Sequence, residues 1–123
     1  MILIVDDDPN VRLLLAEILD VAGEDFLTAA GGEEALLLLE DTEPDLLLLD
    51  VTMPGTDGWQ VIREVRAKPQ MRDLPIIVLS DHVSIPHVLS YGAQANVCKP
   101  VDALALLDTL GEVLGLGAVS ADH

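Results

Sequence analysis

Short apolar runs alternate along this chain with longer stretches in which apolar residues recur at helical spacing. Ile2–Val5 is unbroken and reads as a buried strand. Residues 9–22 follow as a helix, with Val11, Leu14, Leu15, Ile18 and Leu19 on one face and Gly23 at its end. Phe26–Ala29 predicts a short second strand, and the Gly31-Gly32 turn opens a Leu-rich helix over residues 33–40 that Glu43-Pro44 stops. A third strand is expected over 45–50, then a loop of turn formers over 51–58, then a helix over 59–67. Leu74-Pro75 leads into a fourth strand over 76–80. Pro86 belongs in the first turn of a helix, so the next helix is short, residues 86–91, and Gly92 ends it. A fifth strand over 95–99 is broken by Pro100. Residues 101–114 form the last helix, with Leu104, Leu107, Leu110, Val113 and Leu114 expected on its buried side. Residues 115–123 read as a frayed, flexible C-terminal tail. Strands alternating with helices predict an α/β fold: a five-stranded parallel sheet with helices on both faces, doubly wound by right-handed crossovers.

Composition narrows the class of protein. The 123 residues suit one domain, 1–114, with no second unit. Against 6 bases stand 22 acids, a formal net charge of −16. Direct binding to nucleic acid or to an anionic membrane surface needs basic patches, so both are disfavoured, and divalent cations and basic protein surfaces are favoured. Aromatic residues make up 2% of the chain, so the core must be aliphatic. The single cysteine, Cys98, has no partner for an intramolecular disulfide and fits a reducing compartment. The amino terminus enters a strand without a signal-like segment, and no apolar run approaches the ~20 residues of a membrane span, so the expected location is cytoplasmic.

The chemistry gathers where strands end. Asp6-Asp7-Asp8 closes the first strand and Asp50 the third. Open parallel sheets bind ligands just outside the carboxyl ends of their strands. Carboxylates brought together there repel one another unless a cation, a proton or a hydrogen-bond network offsets them. Magnesium, which takes oxygen ligands and is held by one or two carboxylates plus a phosphate, fits best. Asp8 precedes Pro9, a good first helical residue, and is read as a helix cap. The fourth and fifth strands end in Ser80 and Lys99, so one sheet edge collects carboxylates, a hydroxyl and an amine. Those groups suit phosphoryl transfer, in which a carboxylate attacks phosphorus while a cation, a lysine and a hydroxyl hold the phosphoryl oxygens. His82, His87 and His123 show no metal-ligand spacing, Trp59 and Tyr91 read as half-buried helix residues, and residues 36–39 read as core.

In order along the chain, Ile4-Val5-Asp6-Asp7, the segment from Leu49 to Gly58, Leu79-Ser80 and Lys99-Pro100 resemble the receiver domain of two-component response regulators. The resemblance implies a flavodoxin-like, CheY-like fold with strand order 2-1-3-4-5. It implies that Asp50 is the phosphoacceptor, taking a phosphoryl group from a phosphohistidine on a sensor histidine kinase or a histidine phosphotransfer protein. It further implies Mg2+ held by Asp6, Asp7, Asp50 and the Thr52 backbone carbonyl, with Asp6 acting mainly through water. Ser80 and Lys99 would bind the phosphoryl group, and the Lys99-Pro100 peptide would be cis. Such a domain is a kinase substrate rather than a conventional enzyme, and it signals to a downstream protein by contact.

Some positions depart from the family pattern. Asn96 stands where the family usually carries an aromatic switch residue, Asp81 replaces a small residue after Ser80, and His82 lies where the lifetime of the phosphoryl group is tuned. The stretch from Ser80 to Lys99 is shorter than usual, which abbreviates helix four. These departures leave room for a second reading, a pseudo-receiver that works by contact without phosphorylation. A third is a small phosphatase that forms its aspartyl-phosphate at Asp6, because Asp6-Asp7-Asp8 matches an Asp-x-Asp pattern after a strand.

Overall fold

A parallel strand covered on both faces has no polar side. Accordingly, β1 (Ile2–Val5), β3 (Leu46–Asp50) and β4 (Ile76–Leu79) are buried at every position. In the computed structural model, which describes residues 1–51, 57–80 and 85–115, they join β2 (Phe26–Ala29) and β5 (Ala95–Val97) in one parallel sheet. Its order is β2-β1-β3-β4-β5. The helices are α1 (Pro9–Val21), α2 (Gly32–Asp41), α3 (Gly58–Ala67), α4 (Ile85–Ser90) and α5 (Ala103–Leu114), with a 3-10 turn at Pro69–Met71 before β4. The chain winds outward from β1 to β2 and then back across to β3, so the strand order reverses between β1 and β3. A crevice opens there at the carboxyl ends.

The two-residue period of the strands divides the core into two layers. Leu3, Val5, Leu47, Leu49, Ile76 and Val78 pack against Ala35 and Leu39 of α2, Val61, Ile62 and Val65 of α3, and Val88 of α4. Ile2, Ile4, Leu46, Leu48, Ile77 and Leu79 pack against Leu15, Ile18 and Leu19 of α1 and Leu106 and Leu110 of α5. Each fully buried aliphatic side chain contributes about 1.5–3 kcal/mol relative to exposure. Three acids serve as helix caps. Asp8, Asp57 and Asp102 accept backbone N–H bonds from Asn10, Gln60 and Ala105 at 2.9, 2.8 and 3.0 Å.

Several expected details are corrected. Leu104 is 73% exposed and Leu106 is buried in its place, while Leu110 is buried as expected and Leu107, Val113 and Leu114 pack partly buried against the same layer. Leu14 is 40% exposed, leaving Leu15, Ile18 and Leu19 as the buried face of α1. Within residues 36–39, Leu37 points outward while Leu39 is core. The last helix begins at Ala103, after its Asp102 cap, and Gly115 closes it with a φ of 77°. Strand β3 starts at Leu46, α2 and α3 each start one residue earlier than expected, and β5 ends at Val97, before Lys99. Thr52, Asp81, His82 and the expected tail beyond Gly115 lie outside the described residues.

One glycine fixes how α3 meets the sheet. A Cβ on Gly58 would lie 2.5 Å from the Asp50 carbonyl oxygen and 2.5 Å from Val51 Cα, both backbone atoms that cannot rotate away. The first turn of α3 therefore rests directly on the chain leaving β3. Gly58→Ala is expected to lower stability by about 1–3 kcal/mol, as overpacking does elsewhere. Urea unfolding monitored by circular dichroism measures this, and an unchanged midpoint would show that the helix can step back without cost.

Candidate functional site

The register of the sheet assembles the site. Val5 pairs with Leu49 and Asp50 with Leu79, so Asp6 follows beside Asp50 and Ser80 lies one step past Leu79. Asp6, Asp50 and Ser80 are the buried polar residues among those described, at 0%, 2% and 3% exposure. Asp7 is exposed, yet one oxygen from each of Asp6, Asp7 and Asp50 lies within 4.8 Å of the others.

Asp6 is held on every side. Its Oδ1 accepts the Asp8 N–H at 2.9 Å, and its carbonyl accepts Arg12 Nη1 at 2.7 Å, which ties the loop after β1 to the one base in α1. Lys99 Nζ stands 2.7 Å from Asp6 Oδ2 and 3.4 Å from Asp50 Oδ2. The ammonium is thus ion-paired with Asp6 and also reaches Asp50. Burial by itself pushes the Lys99 pKa down, but its close approach to Asp6 and the charge of Asp50 outweigh that and leave it raised above the ordinary lysine value. The folded state thus holds the proton more tightly than the unfolded chain. The stability contributed by this pairing is complete below the ordinary lysine range and is lost as pH rises through the raised value.

The strands beyond β3 supply the remaining groups. Ser80 donates its backbone N–H to Val97 O at 3.2 Å, which fixes the end of β4 against β5. The Lys99-Pro100 peptide is cis. Asn96 pairs in register with Val78, its Nδ2 makes a long contact of 3.7 Å to Cys98 Sγ, and its buried Oδ1 has no hydrogen-bond partner among the described residues. An unsatisfied buried polar atom typically costs about 1–3 kcal/mol.

Five of the site residues expected from sequence, Asp6, Asp7, Asp50, Ser80 and Lys99, thus converge at one sheet edge. Arg12 was not among them, although a lone base one turn after three consecutive acids is a signal of charge pairing. The donor set fits a hard divalent cation. All three side chains offer carboxylate oxygen within 4.8 Å of one another, and two of them, Asp6 and Asp50, are buried.

Residues 2–111 match the family model described as the response regulator receiver domain. The transcriptional regulatory protein AfsQ1 of Streptomyces coelicolor is 39% identical over 94% of this chain and 52% of its own length. The chain spans about half the length of AfsQ1 and of several other transcriptional regulators that it matches. The chemotaxis protein CheY4 of Vibrio cholerae superposes with a TM-score of 0.86 at 32% identity, covering 91% of this chain and 96% of that one. The receiver domain of the sensor histidine kinase PA1611 from Pseudomonas aeruginosa, solved with a magnesium ion in its active-site cleft, superposes with a TM-score of 0.85 at 28% identity, covering 93% and 96%. With the family model spanning nearly all of the sheet and its helices, the chain belongs to the response regulator receiver domain family of two-component signalling.

Proposed function

We propose that Asp50 is the phosphoacceptor of this receiver domain and that the domain signals by protein contact once phosphorylated. The observation that carries this reading is the cluster itself: three carboxylates within 4.8 Å, with Lys99 reaching both Asp6 and Asp50. In the reaction a carboxylate oxygen of Asp50 attacks the phosphorus of a phosphohistidine. The new O–P bond forms as the P–N bond breaks, and the imidazole leaves with the electron pair. The donor is a sensor histidine kinase or a histidine phosphotransfer protein. Lys99 neutralises phosphoryl charge, and Ser80 supplies a hydroxyl to a phosphoryl oxygen. Magnesium would be held by Asp7 and Asp50 directly, by Asp6 mainly through water and by the Thr52 backbone carbonyl, and would supply charge neutralisation for the transferring group. Both Asp6 oxygens are engaged, Oδ1 accepting a backbone N–H and Oδ2 facing Lys99 at 2.7 Å. That weighs against the phosphatase reading.

The switch is atypical in this proposal. Asn96 has no ring to rotate, so β5 itself is left little altered on phosphorylation, and Asp81 and His82, next to Ser80 in sequence, would modulate access to the pocket. The unsatisfied Asn96 Oδ1 favours the second reading, a contact module independent of phosphorylation, to the extent that β5 is not built for the usual switch. Expected surroundings are cytoplasmic, and no helix among the described residues is long and apolar enough to cross a membrane.

Asp50→Asn is expected to abolish the phosphoryl adduct that acetyl phosphate with magnesium places on the wild-type protein, read by intact mass. An undiminished adduct on that variant would move the nucleophile elsewhere, and an absent one on wild type would favour the contact module. Magnesium is expected to raise stability by about 2.7 kcal/mol at ~100 times its dissociation constant, because a ligand of the native state alone stabilises by mass action. Asp7→Asn should weaken that gain. Denaturation midpoints indifferent to millimolar magnesium in both proteins would count against a metal site.

A further inference from the structure

Phe, Trp and Tyr occur once each in this chain, and two of the three meet at one seam. Trp59, the second residue of α3, lies with its ring centroid 4.6 Å from Tyr91, just past α4, and 4.8 Å edge-on from His87 of α4. His87 and Tyr91 are themselves 5.1 Å apart, and the Arg63 guanidinium sits 5.9 Å over the Tyr91 ring. Trp59 and Tyr91 also pack on the core layer beneath. Aromatic pairs at these separations prefer tilted or edge-to-face geometry, so a small shift of one ring changes its contact with the next.

The seam connects at one end to the phosphoacceptor strand. Gly58, directly before Trp59, rests on the Asp50 carbonyl and Val51 backbone so closely that no Cβ fits. At the other end Arg66 of α3 donates through Nη2 and Nε to the Gly92 carbonyl at 2.7 and 3.1 Å, fastening the chain just beyond α4. Helix α4, six residues long, is therefore tied to α3 along its body by rings and at its end by a guanidinium fork. Meanwhile β5 carries Asn96, which offers no ring to move.

We propose that the Trp59, His87 and Tyr91 seam positions α4 and carries the state of Asp50 to it, so that the coupling ring of this receiver lies between two helices rather than on β5. The inference rests on Asp50 being the phosphoacceptor. A displacement of the chain at Asp50 moves Gly58, Gly58 carries Trp59, and Trp59 bears on His87 and Tyr91, with Gly92 as the fixed end about which α4 turns. Two discrete ring arrangements would serve as the bistable element that such coupling requires.

Trp59 is the chain's one tryptophan, so its emission reports the seam directly. Intact mass after acetyl phosphate treatment measures phosphoryl uptake. In parallel, Trp59 fluorescence and amide shifts of residues 87–91 are followed on adding beryllofluoride with magnesium. Wild type is expected to take up the phosphoryl group, shift its emission and move the α4 amides, while Asp50→Asn does none of these. Tyr91→Phe should keep the full response. Tyr91→Leu, folded by circular dichroism, should keep phosphoryl uptake but lose more than half of the α4 amide shift. Uptake with a silent Trp59 and still α4 amides would overturn the seam alone, as would an undiminished α4 response in Tyr91→Leu. If Tyr91→Leu does not fold, His87→Leu carries the same expectation and the same refutation. Failure of wild type to take up a phosphoryl group would overturn the phosphoacceptor reading and this one with it.

Discussion

Three carboxylates drawn to one edge of a buried sheet repel one another, and the ends of the strands are organised around offsetting that repulsion. Like charges 4 Å apart at an effective dielectric of ~20 cost about 4 kcal/mol. One lysine reaching Asp6 and Asp50 neutralises part of this, and the exposed Asp7 is screened by water. What remains is a site with more negative charge than its own residues balance. With 22 acids against 6 bases and a formal charge of −16, the chain carries no surplus of positive charge to relieve it, and a cation or a basic partner is the natural complement.

Rigidity of the sheet makes the cluster possible. Strands β1, β3 and β4 are buried on both faces and bonded in fixed register, so Asp6 and Asp50 cannot drift apart to relax. Arg12 on the Asp6 carbonyl and the Asp8 N–H on its Oδ1 fix the loop between β1 and α1 in the same way. Energy from the aliphatic core thus holds an arrangement that the acids themselves oppose. Functional sites commonly carry strain of this kind, sustained by the surrounding structure.

Much of this was legible in the sequence, for a physical reason. Covered parallel strands write themselves as unbroken apolar runs, and acids ending two such runs mark the crevice, so Asp6, Asp7, Asp50, Ser80 and Lys99 were readable before any coordinates. Helix faces were less so. Apolar residues in α5 surround much of the helix, and spacing alone did not choose Leu106 over Leu104. Triple leucine in α1 hid the same choice at Leu13, Leu14 and Leu15. Contacts between distant residues left no local trace at all. Nothing in the spacing links Trp59 to Tyr91, or Arg66 to the Gly92 carbonyl, because tertiary packing decides both.

On the proposed reading, the acid cluster and Lys99 form one site for a divalent cation and a phosphoryl group together. Fluorine NMR of beryllofluoride tests it most directly, because the bound species gives its own resonance. The bound signal should appear with magnesium, vanish on chelation and be absent in Asp50→Asn. A bound signal that survives chelation, or one that is equal in wild type and Asp50→Asn, would contradict it.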